Sequence, residues 1–280
     1  MEPDTASLDA IERAHLRLPG DRSHAMYRYE PDDDLRPLVQ RFWIPVWSVP
    51  PGEQVEQQVL QYPVALVVVA ADYARFYGVV TGLSRTTLAG EGWAVGVMCT
   101  PAAGSLLAGG SMAGYTDRHV DIVDVLGPAG ADLTDRVRAA MAADPHAPDA
   151  HRQAMAACGE VLRPLLPVDA EGELVDRLVA LVEGRPDLLR VDQLCEAAGL
   201  SERALQRLVQ RRLGLTPKWL VQRRRLQEAA ERLRAADVSL AETAAVLGYA
   251  DQAHFGRDFA RVTGTTPGRF AAQHRAASSG

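Results

Sequence analysis

The sequence predicts an α+β protein, with a β-rich N-terminal domain, a helical linker region and an all-α C-terminal domain. Strand-like runs of aromatic and β-branched residues follow one another from residue 25 to about 125, separated by turns rich in Gly and Pro. From residue 173 onwards the pattern is almost entirely helical. The charge is divided in the same way: residues 201–280 carry 14 Lys and Arg against 7 Asp and Glu, and the first 200 carry 16 against 29. A basic module joined to an acidic one predicts a nucleic-acid partner for the C-terminal part.

The strand signal is strongest in "LVQRFWIPVWSV", "YPVALVVVA", "ARFYGVV" and "WAVGVMCT". Several short strands with turns between them predict a small barrel or jelly roll. We therefore divide the chain into an N-terminal arm (1–24), a β-rich domain (25–128), a helical connector and linker interrupted by prolines (129–170), and a helical domain (171–275).

An internal repeat organises the helical domain. "GLTP" at 214–217 and "GTTP" at 264–267 each follow a short helix, a glycine turn and a second amphipathic helix, which predicts two helix-turn-helix units. The segment between them, "PKWLVQRRRLQEAAERLRAA", begins with proline at a helix-entry position and predicts one long helix of roughly 30 Å. That length is close to the ~34 Å between successive major-groove faces of B-DNA, so one chain could place two helices on one side of a duplex.

The second helix of the first unit has an apolar side with Leu205, Leu208 and Val209. Its opposite side carries Arg203, Gln206, Arg207 and Gln210. Arg and Gln make bidentate contacts to guanine and adenine edges, so this side is predicted to read DNA. Ser201 suits the N-cap, and Arg211 and Arg212 are placed to reach phosphates. A solvated face on a structural domain is the alternative, against which duplication, spacing and local basicity all count.

The second unit contains Asp251, His254 and Asp258 at helical spacing, which raises the alternative of a metal or acid–base site. The three side chains lie on the flank beside an apolar stripe of Phe255 and Phe259. We interpret Asp251 as a residue of the first helical turn, where an acceptor and a negative charge are favoured. We interpret His254 as a half-buried packing residue, and Asp258 as the partner of a nearby arginine such as Arg225 or Arg232. Because no further His or Cys lies within reach along this segment, we predict no metal site and no cofactor.

The predicted DNA face of this second helix has smaller side chains than that of the first. It consists of Ala253, Gly256, Arg257 and Ala260, with Gln252 toward one edge, and Arg261 is also assigned to DNA binding. Small side chains allow close approach to a duplex but offer few hydrogen bonds. The first unit is therefore predicted to carry more of the direct base readout, and the second to depend on Gln252, Arg257 and phosphate contacts.

"GYADQAHFGRDFARVTGTTPGRF" resembles the second helix-turn-helix signature of the AraC/XylS family of bacterial transcription regulators, and "GLSERALQRLVQRRLGLTP" resembles the first unit. The resemblance covers residues 173–271. It implies base contacts from Arg203, Gln206 and Arg207 in the first helix. In the second it implies contacts from Gln252, Ala253, Gly256 and Arg257, where many members carry serine in place of Ala253 and Gly256.

The N-terminal part resembles the β-rich sensor domain of one AraC-type subgroup through "DDDLRPLVQRFW", "WAVGVMCTPAAGSLL" and "VDIVDVLG". This resemblance implies a cupin-like effector or dimerisation domain. Aromatic residues that could line a pocket are Trp43, Trp47, Tyr62, Tyr73, Phe76, Tyr77 and Trp93. Of these we assign Trp43, Tyr62, Phe76 and Trp93 to ligand binding, with ordinary core packing as the alternative. No histidine lies between His24 and His119, which argues against a His-ligated cupin enzyme.

These observations predict a sequence-specific regulator of transcription that binds double-stranded DNA and has no catalytic residues. Expected partners are a second copy of the chain, a small-molecule effector, and RNA polymerase if the protein is an activator. No apolar run is long enough to cross a bilayer, so we expect no membrane partner and a cytoplasmic location. Two alternatives stay open: control by a protein partner, and a DNA-repair enzyme with an activated cysteine. The three cysteines, Cys99, Cys158 and Cys195, form no cluster in the sequence.

Overall fold

The structure is a computed structural model and describes residues 24–60, 62–234 and 239–278. The arm assigned to residues 1–24 lies outside these ranges except for His24. The strands within them are β1 (His24–Tyr29), β2 (Val39–Ser48), β3 (Val55–Leu60), β4 (Leu66–Ala70), β5 (Ala74–Tyr77), β6 (Leu83–Leu88), β7 (Glu91–Cys99) and β8 (His119–Asp121).

The strands form two antiparallel sheets. Six of them lie in the order β1-β2-β7-β4-β5-β8, and β3 pairs with β6 in a separate two-stranded sheet. The predicted β-rich domain is confirmed, although its strands do not close into one hydrogen-bonded barrel in the described part of the chain. Side chains alternate between the two faces of each strand. One face of the large sheet therefore meets helices, and the other faces the small sheet across a cavity.

The helices that follow the strands are α1 (Ala103–Leu107), α2 (Ile122–Leu126), α3 (Pro128–Met141) and α4 (Pro148–Leu162). Helices α3 and α4 each have proline near the N-terminus, where the missing N–H removes no helical hydrogen bond. Buried residues of these helices, such as Val137 and Leu162, belong to the same core as Phe42 and Val97 of the large sheet. The predicted helical connector thus covers one face of that sheet.

The remaining helices are α5 (Ala170–Gly184), α6 (Val191–Ala198), α7 (Glu202–Leu213), α8 (Pro217–Arg234), α9 (Leu240–Val246), α10 (Gln252–Thr263) and α11 (Pro267–Ser278). They confirm two helix-turn-helix units joined by a long helix. Helix α8 has 18 residues, hence a length of about 27 Å; the last two residues of the predicted helix lie outside the described ranges. The first unit and the second unit have separate apolar cores, one on each half of α8.

The N-terminal domain packs directly against the first unit. Val79 and Ala102 belong to the same apolar core as α5, α7 and the start of α8. Trp219 Nε1 on α8 donates to the carbonyl oxygen of Thr81 at 3.0 Å. The amide of Ala102 donates to Asp176 Oδ1 at 2.8 Å, and burial raises the pKa of Asp176 to about 6. The N-terminal domain therefore contacts α5 and α8 of the first unit directly.

Candidate DNA-binding surface

The first helix-turn-helix unit is shaped by two local signals. Helix α6 ends at Gly199, whose φ of 64° is in the left-handed region that glycine adopts without steric cost. Ser201 Oγ then accepts from the amide of Ala204 at 3.3 Å, which confirms the predicted N-cap of α7. Leu205 and Val209 are fully buried, so the opposite side of α7 is turned towards solvent.

That outer side carries most of the predicted base-reading residues. Arg203, Gln206 and Arg207 are exposed and lie together on one face of α7. Gln210 is partly buried, with its side-chain amide 3.5 Å from the carbonyl oxygen of Gly214, near the end of the helix. The structure thus brings three long polar side chains to an open surface and places the fourth at its edge.

The two arginines after this face are held by the protein itself. The side chain of Arg212 is 8% exposed, forms ion pairs with Asp169 and Glu171, and donates from Nη1 to Ser105 Oγ at 3.0 Å. The prediction that Arg212 reaches a phosphate is therefore wrong. The hydrogen bond from Arg212 holds the pKa of Asp169 below its usual range. Arg211 is about half exposed and pairs with the same Glu171.

Removing the Glu171 charge is expected to strengthen DNA binding modestly. Glu171→Gln releases Arg211 from its ion pair and removes a negative charge beside α7, while the buried Arg212 keeps its ion pair with Asp169. Since exposed ion pairs contribute ~0–1 kcal/mol, the gain should be about two- to fivefold at low salt and should shrink as salt is added. Affinity for a selected DNA site at two salt concentrations measures it. Glu173→Gln is the matched control, because its partner Arg177 lies on α5 and not on α7; equal affinities of the two variants would contradict the expectation.

The second helix-turn-helix unit has the same N-capped, half-buried helix as the first, but different residues on its exposed side. Asp251 accepts at the start of α10, as expected, and is its N-cap: its Oδ1 accepts from the amide of His254 at 2.6 Å. Phe255 and Phe259 are 0% exposed, as expected for the apolar stripe. The outer side is open, and a Cβ built on Gly256 meets nothing within 4 Å. The residues exposed on that side are Gln252, Ala253, Arg257 and Arg261, with Gly256 partly buried between them.

The Asp251, His254 and Asp258 group is a packing arrangement. The His254 side chain is 50% exposed, with its ring edge-on to Tyr249 at a centroid distance of 5.3 Å. Asp258 accepts from Gln222 Nε2 at 2.6 Å and pairs with Arg261 at 3.2 Å. In the described residues no group of three or more His, Cys, Asp or Glu side chains could hold a metal ion.

Asp258 pairs with a nearby arginine, as predicted, but this is Arg261 and neither of the two arginines named as examples. Arg232 pairs with Glu228 on its own helix, and Arg225 lies over the Tyr249 ring with its Cζ 4.0 Å from the centroid. Gln222, one turn before Arg225 on α8, is the residue of that helix that donates a hydrogen bond to Asp258. Which turn of α8 faces α10 depends on the crossing of the two helices, and the sequence does not contain that information.

Two basic residues beside the recognition helices were missed. Lys218 and Arg269 are exposed in the first turns of α8 and α11, directly after the two recognition helices. Helices α8 and α11 are each capped by threonine. Thr216 Oγ1 accepts from Trp219 N at 3.1 Å, and Thr266 Oγ1 accepts from Arg269 N at 3.4 Å. The signal was the repeated Thr-Pro pair, which marks helix entry as well as a turn.

A second candidate site is the cavity of ≈ 190 Å³ between the two sheets. Trp43 and Tyr62 line it, as do Trp47, Tyr73 and Tyr77. Phe76 and Trp93 do not: Phe76 is 1% exposed in the core on the helix side of the sheet, and Trp93 packs against that same core. The assignment of Phe76 and Trp93 to this pocket was wrong. Successive side chains of a strand point to opposite faces of the sheet, and the neighbours Tyr77 and Ala94 are the ones that face the cavity.

The fold and the two exposed recognition faces define a double helix-turn-helix DNA-binding protein with an N-terminal β-rich domain. A helix-turn-helix domain family matches residues 194–273, and a domain of unknown function, DUF6597, matches residues 27–121. The probable transcription factor PqrA of Proteus vulgaris is 35% identical over 86 residues, which cover 31% of this chain and 70% of PqrA. The chain belongs to the AraC/XylS family of transcription regulators, and it acts as a sequence-specific DNA-binding regulator of transcription.

Other similar proteins share parts of the chain. The HTH-type transcriptional regulator MtrA of Neisseria gonorrhoeae is 30% identical over 99 residues, and the matching part spans only 32% of MtrA. Among solved structures, the C-terminal domain of AraT, a response regulator from Geobacillus stearothermophilus, has a TM-score of 0.33 at 23% identity, covering 37% of this chain and 88% of that one. ToxT from Vibrio cholerae has a TM-score of 0.40 at 12% identity, covering 88% of this chain and 99% of ToxT.

Proposed function

We propose that this regulator places α7 and α10 in successive major grooves of one duplex. The observation that carries the proposal is the repeated geometry: each helix is buried on one side, capped at its N-terminus, and open on the side that bears the polar residues. Base readout comes from Arg203, Gln206 and Arg207 of α7, with Gln210 at the edge. Helix α10 approaches closely through Ala253 and Gly256 and contributes Gln252, Arg257 and Arg261.

Contacts to the DNA phosphates come from exposed basic side chains that flank these helices. Lys218 and Arg269 occupy equivalent places after the two units, and Arg211 joins them when it leaves Glu171. Arg212, Arg223 and Arg224 are buried and ion-paired, so they support the fold. The affinity for DNA should therefore depend less steeply on salt than it would if all 14 Lys and Arg of residues 201–280 contacted phosphates.

The N-terminal domain is proposed to sense a small-molecule effector in the cavity and to pair two copies of the chain, with the domains dividing near residue 170. Direct contacts between this domain and α8 support control of DNA binding by the effector. The protein is proposed to work in the cytoplasm and to contact RNA polymerase if it activates transcription.

Cysteine chemistry gives no support to the alternative of a DNA-repair enzyme. Cys99 and Cys158 are buried, and burial raises the pKa of each thiol to about 12. The pKa of Cys195 is also raised, by partial burial and the nearby carboxylates of Glu202 and Asp192. A nucleophilic cysteine needs the opposite shift, because the thiolate is the reactive form. We therefore propose that the protein is not an enzyme.

Selection of bound DNA from a randomised pool, followed by footprinting, tests the proposal. The wild type should protect two adjacent major-groove faces per protomer. Arg207→Ala should lose ~1–3 kcal/mol of binding and relax specificity at its base, whereas Arg257→Ala should weaken binding more evenly across sequences. Protection of a single groove would count against two-groove docking. Equal losses of specificity in the two variants would contradict the division of roles between α7 and α10.

A further inference from the structure

The two helix-turn-helix units share α8 but have separate apolar cores, so a small bend of that helix would move α10 relative to α7. We propose that Arg85, on strand β6 of the N-terminal domain, is a positioning residue that opposes this movement. Arg85 thereby sets the spacing between the two DNA sites that one chain reads. This inference rests on the proposed function, since a spacing has meaning only if α7 and α10 dock on one duplex.

The N-terminal domain is fixed on the first unit at the end of α7. Thr116 Oγ1 donates to the carbonyl oxygen of Gly214 at 2.7 Å. A Cβ on Gly214 would collide with Thr116 Oγ1 and lie 2.6 Å from the carbonyl oxygen of Met112, so the two backbones approach closely. The loop that carries Thr116 is itself tied down, because the amide of Thr81 donates to Asp117 Oδ1 at 2.6 Å. With the shared apolar core, these contacts make the N-terminal domain and the first unit one body.

Two side chains from outside the second unit lie against the turns at either end of α10. Leu189, in the turn before α6, lies against Gly248, where an added Cβ would be 2.9 Å from its Cδ1. Arg85 lies against Gly264, where an added Cβ would be 2.9 Å from its Nη2. Both glycines have a positive φ, of 71° and 72°, and leave their backbone open to the approaching group. Helix α10 is therefore held from the first unit at its start and from the N-terminal domain at its end.

The guanidinium of Arg85 is oriented by its own sheet. Arg85 pairs in register with Gln58 of β3, and its Nη1 donates to Glu56 Oε1 at 3.1 Å on the same face. The planar fork of the guanidinium then presents Nη2 to Gly264. The last carbonyl groups of a helix carry partial negative charge, so a cation at this place is stabilising. Arg85 therefore bridges the small sheet and the end of the second recognition helix.

This bridge has a consequence for the DNA that the protein accepts. One base pair of B-DNA rises about 3.4 Å and turns about 34°. If one base pair is inserted between the two sites, α10 must follow that displacement or lose its contacts. With Arg85 in place, following the DNA breaks the contact at Gly264. Without Arg85, α8 bends at a lower cost, and the protein should tolerate a wrong spacing better.

Binding of the full chain to duplexes with one base pair removed or inserted between the two selected sites tests the proposal. The wild-type affinity should fall by about tenfold or more at either altered spacing, since one lost specific base contact weakens binding by about that factor. Arg85→Ala should make this fall about two- to fivefold smaller, the range that an exposed ionic contact contributes. Arg85→Lys keeps the charge at the helix end and should retain most of the wild-type fall.

The matched control is Arg36→Ala, because Arg36 is an exposed arginine of the same domain that pairs with Asp33 and Glu30 of its own segment. It should keep the wild-type dependence on spacing. Arg85→Gln removes the charge with less loss of side chain, and it gives the same measurement if Arg85→Ala fails to fold. Equal changes in the Arg36 and Arg85 variants would overturn the proposal.

The dependence on spacing separates positioning from other roles of Arg85. A direct phosphate contact would make Arg85→Ala weaken binding by the same factor at every spacing and reduce the salt slope by about one, which would overturn the proposal. A steep dependence in every variant, together with a two-groove footprint, rejects the role of Arg85 alone. A flat dependence in the wild type, together with protection of a single groove, rejects two-groove docking and the positioning role with it.

Discussion

Replacing Glu183 with alanine is expected to lower the free energy of unfolding by about 3 kcal/mol or more, because a buried guanidinium loses its carboxylate. Arg223 is 2% exposed and Glu183 is 16% exposed, and Arg223 Nη1 lies 2.7 Å from Glu183 Oε1. The pair joins α5 to α8, and the ring of Tyr62 from the N-terminal domain covers the guanidinium. Burial, with the Glu183 charge as a further cause, raises the pKa of Tyr62 to about 12.

Urea unfolding followed by circular dichroism measures this loss. Glu173→Ala is the matched control on the same helix, since its ion pair with Arg177 is exposed on both sides and contributes ~0–1 kcal/mol. The double variant Glu183→Leu with Arg223→Met should recover most of the stability, because an apolar pair of similar volume often replaces a buried ion pair at little cost. Equal losses in Glu183→Ala and Glu173→Ala would show that the buried pair has no special role.

The same buried pair shows where the sequence was misleading. Counting charges predicted that the basic residues of 201–280 serve a nucleic-acid partner, but Arg212, Arg223 and Arg224 are all buried. Their partners lie in other elements or a turn away, as with Asp169 for Arg212 and Glu228 for Arg224. An arginine facing DNA and an arginine closing an interdomain contact have the same local sequence. Only the packing of the domains separates them.

The predictions that held were local ones. Ser201 was predicted as an N-cap and Asp251 as an acceptor at the start of its helix, because both roles are decided by residues three positions apart. The buried sides of α7 and α10 followed from helical periodicity, since Leu205 and Phe255 each repeat the apolar phase of their helix. Both signals lie within one turn or two, so they do not depend on the rest of the fold.

The cavity required information of longer range. Alternation along a strand places Phe76 and Tyr77 on opposite faces, yet it does not tell which face meets helices and which meets the small sheet. That choice is made by how the helices and the small sheet pack on the large one, and the register of β2 on β7 sets Trp43 over Gly96 on the cavity face. The pairing of Trp43 and Trp47 with two glycines on the neighbouring strand is the sequence signal that could have identified this wall of the cavity in advance.

Replacing Phe259 with alanine is expected to loosen the second helix-turn-helix unit by about 3–5 kcal/mol. Its ring is 0% exposed and lies between Phe255 and Phe270, at centroid distances of 5.7 and 5.5 Å. Among the described residues, the core around it is formed by α8 to α11 and by the turn between α9 and α10, and it is separate from the core of the first unit. The damage should therefore stay within the second unit.

Hydrogen exchange of the peptides that contain α7 and α10 separates a local from a global effect. In Phe259→Ala, exchange should rise sharply in residues 252–263 and little in residues 202–213, and the footprint should lose the groove read by α10 while keeping the one read by α7. Leu205→Ala, at an equally buried position in the first unit, should give the reverse pattern. Val246→Ala is the surface control, because Val246 is 52% exposed and its loss should change stability by ~0.5 kcal/mol at most. If both grooves vanished together in Phe259→Ala, the two units would form one cooperative structure, and α8 would transmit the loss from one to the other.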